Sequence, residues 1–133
     1  MNLVSVDPDN TDMLLALYQL LAERPAVACI SHRKMPTLDE HIAFVQSEPY
    51  LAWYMIEDGQ RYAGAVYLTH AREIGIGILE KYQRQGLGLA AVRELMRRHP
   101  GDRFLANIAP SNERSRRLFE KLGATLIQTT YEL

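Results

Sequence analysis

The feature that most constrains the fold is a strand, a glycine pair and a helix that follow one another between residues 72 and 98. The run REIGIGIL carries isoleucine at every second position, which is typical of a strand with one apolar face. Gly86 and Gly88 come next, and apolar residues then recur at helical spacing. Because a helix that follows a strand through a short loop packs back onto the sheet, this unit predicts a layered α/β domain.

The remaining segments extend this unit into a mixed sheet. Before it, the pattern predicts a short strand, two helices and a hairpin with Asp58-Gly59 at its turn. After it, RFLANI and ATLIQTTYEL are predicted strands, separated by a helix that begins at Ser111 or Asn112. The predicted order is β-α-α-β-β-β-α-β-α-β. We therefore expect about six strands with helices on both faces, in one domain over residues 1–133.

Composition and charge argue against several classes of partner. The formal net charge is -1 and the pI is about 6.4, so we expect no nucleic-acid partner. The chain has no apolar run of the ~18 residues that a membrane span needs, so we expect no membrane partner. The histidines show no metal-ligand spacing with one another or with Cys29, so we expect no metal. A lone cysteine cannot form an internal disulfide, which indicates a reducing compartment, the cytoplasm.

The glycine pair at a predicted helix start indicates a site for a phosphate group. A helix N-terminus presents unpaired N–H groups, and glycine lets a ligand approach the backbone closely. Leu89 follows Gly88, so the loop lacks the Lys and Ser/Thr of a Walker sequence. A dinucleotide fingerprint is also disfavoured, because Asp102 precedes the next predicted strand and does not follow it. About 45 residues follow the glycines, too few for the remaining βαβ units.

Two motifs together resemble the GNAT superfamily of acyl-CoA-dependent N-acetyltransferases. The loop QRQGLG fits Q/R-x-x-G-x-G/A, and the segment from Asn112 to Ala124 carries Ser115, Phe119 and Gly123 at the spacing of the later motif. The resemblance implies a GNAT-like fold and acetyl-CoA as cosubstrate. It also implies transfer of an acetyl group to a primary amine, either of a small molecule such as an amino sugar or of a protein N-terminus.

The resemblance also implies where coenzyme A binds. Its pyrophosphate would lie on the backbone amides of one loop, formed by Arg84, Gln85, Gly86, Leu87, Gly88 and Leu89. The pantetheine arm would run beside the end of the preceding strand, at Ile78 and Leu79, and the later helix would flank it with Asn112, Ser115 and Phe119. The alternative is that the two glycines serve only a tight turn.

Amide formation needs a group that takes a proton from the attacking amine. Glu73 is the candidate base, because Gly75 and Gly77 share its strand face and should leave a trough beside its carboxylate. The alternative is a surface carboxylate paired with a cation such as Arg72. Asn107 could hydrogen-bond the pantetheine or the acyl carbonyl, or only satisfy local backbone.

The general acid is a departure from the family pattern. Many GNAT enzymes carry a tyrosine where this chain has Phe119, which has no proton to donate. Tyr131 on the last predicted strand is a substitute, with a packing role as the alternative. A chain without the acid could be a non-catalytic regulatory module that binds acyl-CoA, and this is the alternative function.

Two further expectations concern partners. Aromatic residues of the second predicted strand and the turn before it could line an acceptor pocket or fill the core; they are Tyr50, Trp53 and Tyr54. His32 lies in a polar connection where the family places acceptor-binding loops. The C-terminal strand lacks a following hairpin partner, so we expect a homodimer that uses this strand or the sheet edge near it.

Overall fold

Four strands and four helices make up the fold in a computed structural model, which describes residues 1–24 and 34–133. Cys29 and His32 lie outside the described residues. The strands are β1 (Asn2–Ser5), β2 (Ala52–Asp58), β3 (Arg61–Leu68) and β4 (Ile74–Ile78). The helices are α1 (Thr11–Glu23), α2 (Leu38–Gln46), α3 (Leu87–Arg98) and α4 (Glu113–Lys121), and a 3₁₀ turn spans Glu80–Tyr82. No helix in the described part is long and apolar enough to cross a membrane.

The strands form one antiparallel sheet in the order β1-β2-β3-β4. The predicted hairpin is confirmed: β2 and β3 meet at Asp58-Gly59, and Gly59 has φ 69°, a left-handed conformation that glycine adopts without a steric penalty. The register places Tyr67 of β3 opposite Gly75 of β4. This pairing brings a large ring and a residue without a side chain to the same face of the sheet.

Helices cover both faces of the sheet, as predicted. Met55 and Ala65 face α1 and α2 in one buried cluster. Ile56 and Val66, which alternate with them, face α3 in the other cluster. The three isoleucines of β4 pack on the α3 side, so Gly75 and Gly77 lie on the α1 side.

The helix starts follow from capping chemistry. Asn10 caps α1 and accepts a hydrogen bond from the Met13 N–H at 3.1 Å. Thr37 and Glu40 form a reciprocal capping box at the start of α2. Asn112 caps α4 through the Ser115 N–H. These caps satisfy N–H groups that the helices themselves leave unpaired.

The prediction of about six strands is wrong: the sheet in the described residues has four. RFLANI pairs with the sheet at one position, a parallel bridge between Glu73 and Leu105, and then leaves the edge of β4. ATLIQTTYEL forms no strand, and every residue from 123 to 133 is exposed. The physical reason is that a strand needs an adjacent strand for its backbone hydrogen bonds. Residues 103–108 form no regular strand, so ATLIQTTYEL cannot form a ladder with them.

Candidate functional site

The start of β4 brings together two of the predicted site residues. Glu73 directly precedes the strand and is half-buried, and its backbone is fixed to Thr69 by two hydrogen bonds of 2.9 and 3.0 Å. The parallel bridge to Leu105 sets Asn107 beside it, and the Asn107 side-chain amide donates to Glu73 Oε2. A carboxylate held by an amide donor at a strand start can accept a proton from a bound amine.

The trough expected beside Glu73 is partly filled. The Tyr67 ring lies over Gly75, and a Cβ on that glycine would overlap the ring carbons and the hydroxyl oxygen. Gly77 is less crowded, since a Cβ there would meet Leu20 at 3.7 Å. The Tyr67 ring therefore occupies the space that a side chain at position 75 would fill. This position puts the Tyr67 hydroxyl group on the sheet face that carries Glu73. Tyr67 could not be identified from the sequence, because only the β3–β4 register reveals this contact.

An aromatic cluster continues this face toward α2. The Tyr50 and Tyr67 rings stack with their centroids 4.0 Å apart and an interplanar angle of 4°, and Trp53 meets Tyr50 edge-on at 4.7 Å. Burial, and then the neighbouring Tyr67 hydroxyl, raise the pKa of Tyr50, so its hydroxyl stays protonated at neutral pH. Tyr50 and Trp53 line a cavity of about 240 Å³, together with Tyr54. The aromatic side chains therefore pack against one another and also line this cavity.

The glycine loop joins β4 to α3 through two left-handed residues. Arg84 has φ 65° and Gly86 has φ 77°, and Gly86 is the N-cap of α3 without any side-chain cap. A Cβ built on Gly86 would meet nothing within 4 Å, so the space above it is open. Gly88 is different: it is buried, and a Cβ there would lie 2.9 Å from Leu118. Gly86 thus supplies the turn and the open space, and Gly88 lets α3 and α4 pack closely.

The amides of this loop suit an anionic group. Ala90 N–H is the first to bond back within α3, to Gly86 O at 3.1 Å. The amides of Leu87, Gly88 and Leu89 precede that bond and belong to the unpaired N–H groups that every helix start presents. Arg84, Gln85 and Gly86 are exposed at the mouth of the loop. Unpaired backbone donors at a helix start suit a phosphate group.

Gln83 supports the loop through two side-chain contacts that its residue type does not predict. Its side-chain amide donates to Ile78 O at 2.9 Å, and its side-chain oxygen accepts from Arg114 of α4. The residue therefore connects the end of β4, the loop and α4. The Q/R position of the first motif could have drawn attention to it.

The remaining predicted cofactor residues lie on either side of this loop. Ile78 is half-buried, and Leu79 is buried with its N–H bonded to Ala63 O at 2.9 Å. Asn112 and Ser115 are half-buried at the start of α4, whereas Phe119 is 7% exposed and belongs to the core cluster beneath α3.

Tyr131 is not brought to Glu73. Its side chain is 87% exposed in the C-terminal segment. Within the described residues, no group of three or more histidine, cysteine or acidic side chains could hold a metal ion.

Comparisons with known proteins identify the family and the fold. The model of the acetyltransferase (GNAT) family matches residues 14–124. Among solved structures, an acetyltransferase from Thermus thermophilus is 22% identical with a TM-score of 0.71, over 92% of this chain and 84% of that one. A putative acetyltransferase from Salmonella typhimurium, solved with its cofactor acetyl-CoA, is 20% identical with a TM-score of 0.73, over 92% of this chain and 78% of that one.

A third structure extends the range of similar proteins. An N-acetyltransferase from Staphylococcus aureus is 20% identical with a TM-score of 0.71, over 92% of this chain and 81% of that one. At this level of identity the three structures establish the fold. No curated protein matches the sequence.

Proposed function

The chain belongs to the GNAT acetyltransferase family, and we propose that this acetyl-CoA-dependent transferase acetylates a primary amine of a small molecule, such as an amino sugar, or of a protein N-terminus. The observation that carries the proposal is the Glu73–Asn107 hydrogen bond at the start of β4. This bond holds the Glu73 carboxylate directly before the strand that leads into the glycine loop.

Three residues of the chain have separate roles in the proposed reaction. An amine of pKa near 10 is mostly protonated at neutral pH, so Glu73 takes its proton, directly or through a water molecule. Asn107 orients the carboxylate, and once the acceptor is bound its amide can instead face the acyl oxygen. Tyr131 remains the proposed acid and would have to move, because its side chain is 87% exposed.

The cofactor is held by the glycine loop in this proposal. The amides from Arg84 to Leu89 bind the pyrophosphate, and the pantetheine arm lies along Ile78 and Leu79. The side-chain oxygen of Asn112 accepts a hydrogen bond from the Ser115 N–H, so its amide nitrogen remains a donor toward the arm. Phe119 is the buried residue through which α4 packs on the core. Acetyl-CoA would supply the acetyl thioester that the amine attacks. A C–N bond would form as the C–S bond breaks, and coenzyme A would leave as a thiolate that takes a proton from the proposed acid, Tyr131.

The test of the base is Glu73→Gln, assayed by acetyl-CoA consumption with a panel of amino sugars, amino acids, polyamines and peptides. The carboxamide keeps the shape and accepts no proton, so kcat should fall by about 10²-fold or more at neutral pH. Acetyl-CoA binding measured by calorimetry should stay unchanged. Glu57→Gln on β2 is the matched control and should turn over like the parent.

Two outcomes would contradict the proposal. If Glu73→Gln turns over like the parent from pH 6 to 9, the base lies elsewhere. If the parent binds acetyl-CoA but acetylates no amine in the panel, the alternative of a regulatory acyl-CoA-binding module replaces the enzyme.

The test of the loop is Gly86→Val, with Gly59→Val as its control. Both glycines are left-handed and have open space around them, so the backbone strain of the two changes is matched. Gly86→Val puts a branched side chain before the loop amides and should weaken acetyl-CoA binding at least tenfold, about 1.4 kcal/mol. Equal affinity in the two folded variants would exclude the loop as the pyrophosphate site.

Location and assembly complete the proposal. The cytoplasm is supported by the single cysteine, and a homodimer is supported by the exposed apolar side chains of residues 123–133.

A further inference from the structure

Arg72, next to Glu73, has an unusual backbone conformation. Its φ is 67°, in the left-handed region that residues with a side chain rarely occupy. Such a conformation is strained and persists only where the surroundings enforce it. It turns the chain directly before the proposed base.

The Arg72 side chain closes over the segment that follows α3. Nη2 donates to His99 O at 2.8 Å, Nε donates to Arg103 O at 3.3 Å, and the guanidinium carbon lies 4.5 Å from the centroid of the Phe104 ring. The guanidinium lies against Gly101, where a Cβ would overlap it. One side chain thus holds residues 99–104 by two hydrogen bonds and a cation–π contact.

The Arg72 backbone also binds the segment that follows α3. Leu105 N–H donates to Arg72 O at 2.9 Å, and Ile74 N–H donates to Leu105 O at 2.7 Å. Asn107, whose amide reaches Glu73, lies only two positions beyond Leu105 of this bridge. Since residues 103–108 form no regular strand, these Arg72 contacts replace the ladder that would otherwise fix Asn107.

We propose that Arg72 is a positioning residue for acetyl transfer: its side chain and its left-handed backbone hold residues 99–105 so that Asn107 orients the Glu73 carboxylate. The inference rests on the proposed function of Glu73 as base. Arg72 itself does not bind acceptor or cofactor in this account and acts only through Asn107. A lysine could not replace it, because a single ammonium group cannot span both carbonyl groups and stack on Phe104 at once.

The experiment uses Arg72→Gly, because glycine keeps the left-handed backbone and removes only the side chain. Arg103→Ala is the control, since it deletes an equal charge from the same segment and leaves the Arg103 carbonyl in place. The first measurement is the NMR resonance of the Asn107 side-chain amide. Asn107 is exposed in the parent as well, so the resonance reports its hydrogen bond to Glu73. We expect it to shift toward the value of a side-chain amide without that bond in Arg72→Gly and to stay unchanged in Arg103→Ala.

The second measurement is steady-state kinetics. Arg72→Gly should lower kcat about tenfold, because a misplaced group near the reacting atoms slows the reaction without preventing binding. The KM for acetyl-CoA should change less than about twofold, as the glycine loop is untouched. In an Asn107→Ala background the Arg72 change should have almost no further effect on kcat, because both residues act through one contact.

Gly101→Ala provides a second route if Arg72→Gly does not fold. Its methyl group would displace the guanidinium while leaving residue 72 and the chain charge intact, so it should shift the same Asn107 resonance. An unshifted Asn107 resonance in both variants, or additive losses of kcat with Asn107→Ala, would overturn the proposal. If the parent acetylates no amine, the proposed function fails, whereas the resonance still tests whether Arg72 positions Asn107.

Discussion

At the scale of single residues, two glycines on the same face of β4 have different tasks. Gly75 lies under the Tyr67 ring, and a Cβ there would overlap it. Gly77 has room for a methyl group, with Leu20 at 3.7 Å. The Tyr50–Tyr67 stack therefore depends on one missing side chain, two residues from Glu73.

Gly75→Ala should lower the free energy of unfolding by about 1–3 kcal/mol, because the methyl group forces Tyr67 out of its position. Gly77→Ala is the control and should leave it unchanged or raise it by up to about 1 kcal/mol, since alanine loses less backbone entropy on folding. Urea denaturation measures both, and near-UV circular dichroism should change only for Gly75→Ala. Equal stability of the two variants would show that the Tyr67 ring relaxes without cost.

The sequence indicates some residues of the candidate site but not the contacts between them. Glu73 and Asn107 are both named by residue type and place in the pattern, yet their hydrogen bond follows from the bridge at Leu105. Tyr67 and Gln83 were missed because a strand tyrosine and a loop glutamine have no sequence signal of their own. Their roles depend on which atoms the fold brings beside them.

At the scale of elements, α1 and α2 meet around a buried histidine. His41 is 2% exposed, and its Nε2 lies 3.1 Å from Leu14 O of α1, so Nε2–H is the donor. The Tyr18 ring lies 5.2 Å away, and the structure shows no hydrogen-bond partner for His41 Nδ1 among the described residues. Burial lowers the pKa of His41, and the bond to Leu14 O opposes this only in part.

His41 should make the stability of the fold depend on pH. Its folded pKa lies below the ordinary value of about 6.5, so the unfolded chain binds the proton more readily. The histidine's contribution is complete above that ordinary value and is lost as the pH falls below it. We therefore expect the free energy of unfolding to decrease from pH 7 to pH 5, and His41→Phe to flatten this decrease.

The control is His70→Gln, because His70 is exposed and its replacement should leave the pH dependence in place. Urea denaturation at several pH values provides the measurement. A pH dependence that survives His41→Phe unchanged would assign it to other groups.

Elements with local signals were predictable, and elements that depend on a neighbour were not. The caps at Asn10 and Thr37 and the turn at Asp58-Gly59 follow from short-range chemistry, and the structure has all three. RFLANI has the composition of a strand, yet only Leu105 pairs with the sheet. A segment forms a strand only when it makes hydrogen bonds with an adjacent strand. Its own composition does not reveal whether such a neighbour is present.

At the scale of the whole molecule, the C-terminal segment has the most exposed large apolar side chains among the described residues. Residues 123–133 are all exposed, and four large side chains lie largely in solvent: Leu126 at 84%, Ile127 at 65%, Tyr131 at 87% and Leu133 fully. Scattered apolar residues are ordinary on protein surfaces, but several in one short segment are typical of an interaction surface. The segment also has the β-branched and aromatic residues that favour strand addition.

We expect this segment to join two copies of the chain, with each copy contributing the same surface about a two-fold axis. Light scattering at micromolar concentration should then give twice the monomer mass of 15.2 kDa. Ile127→Lys should shift the mass toward the monomer, because a lysine at an apolar contact must lose its hydration on association. Thr129→Lys adds the same charge two residues away and should affect assembly less, since it removes no apolar side chain. A monomeric parent would contradict the dimer, and a dimer that persists after deletion of residues 126–133 would contradict this interface.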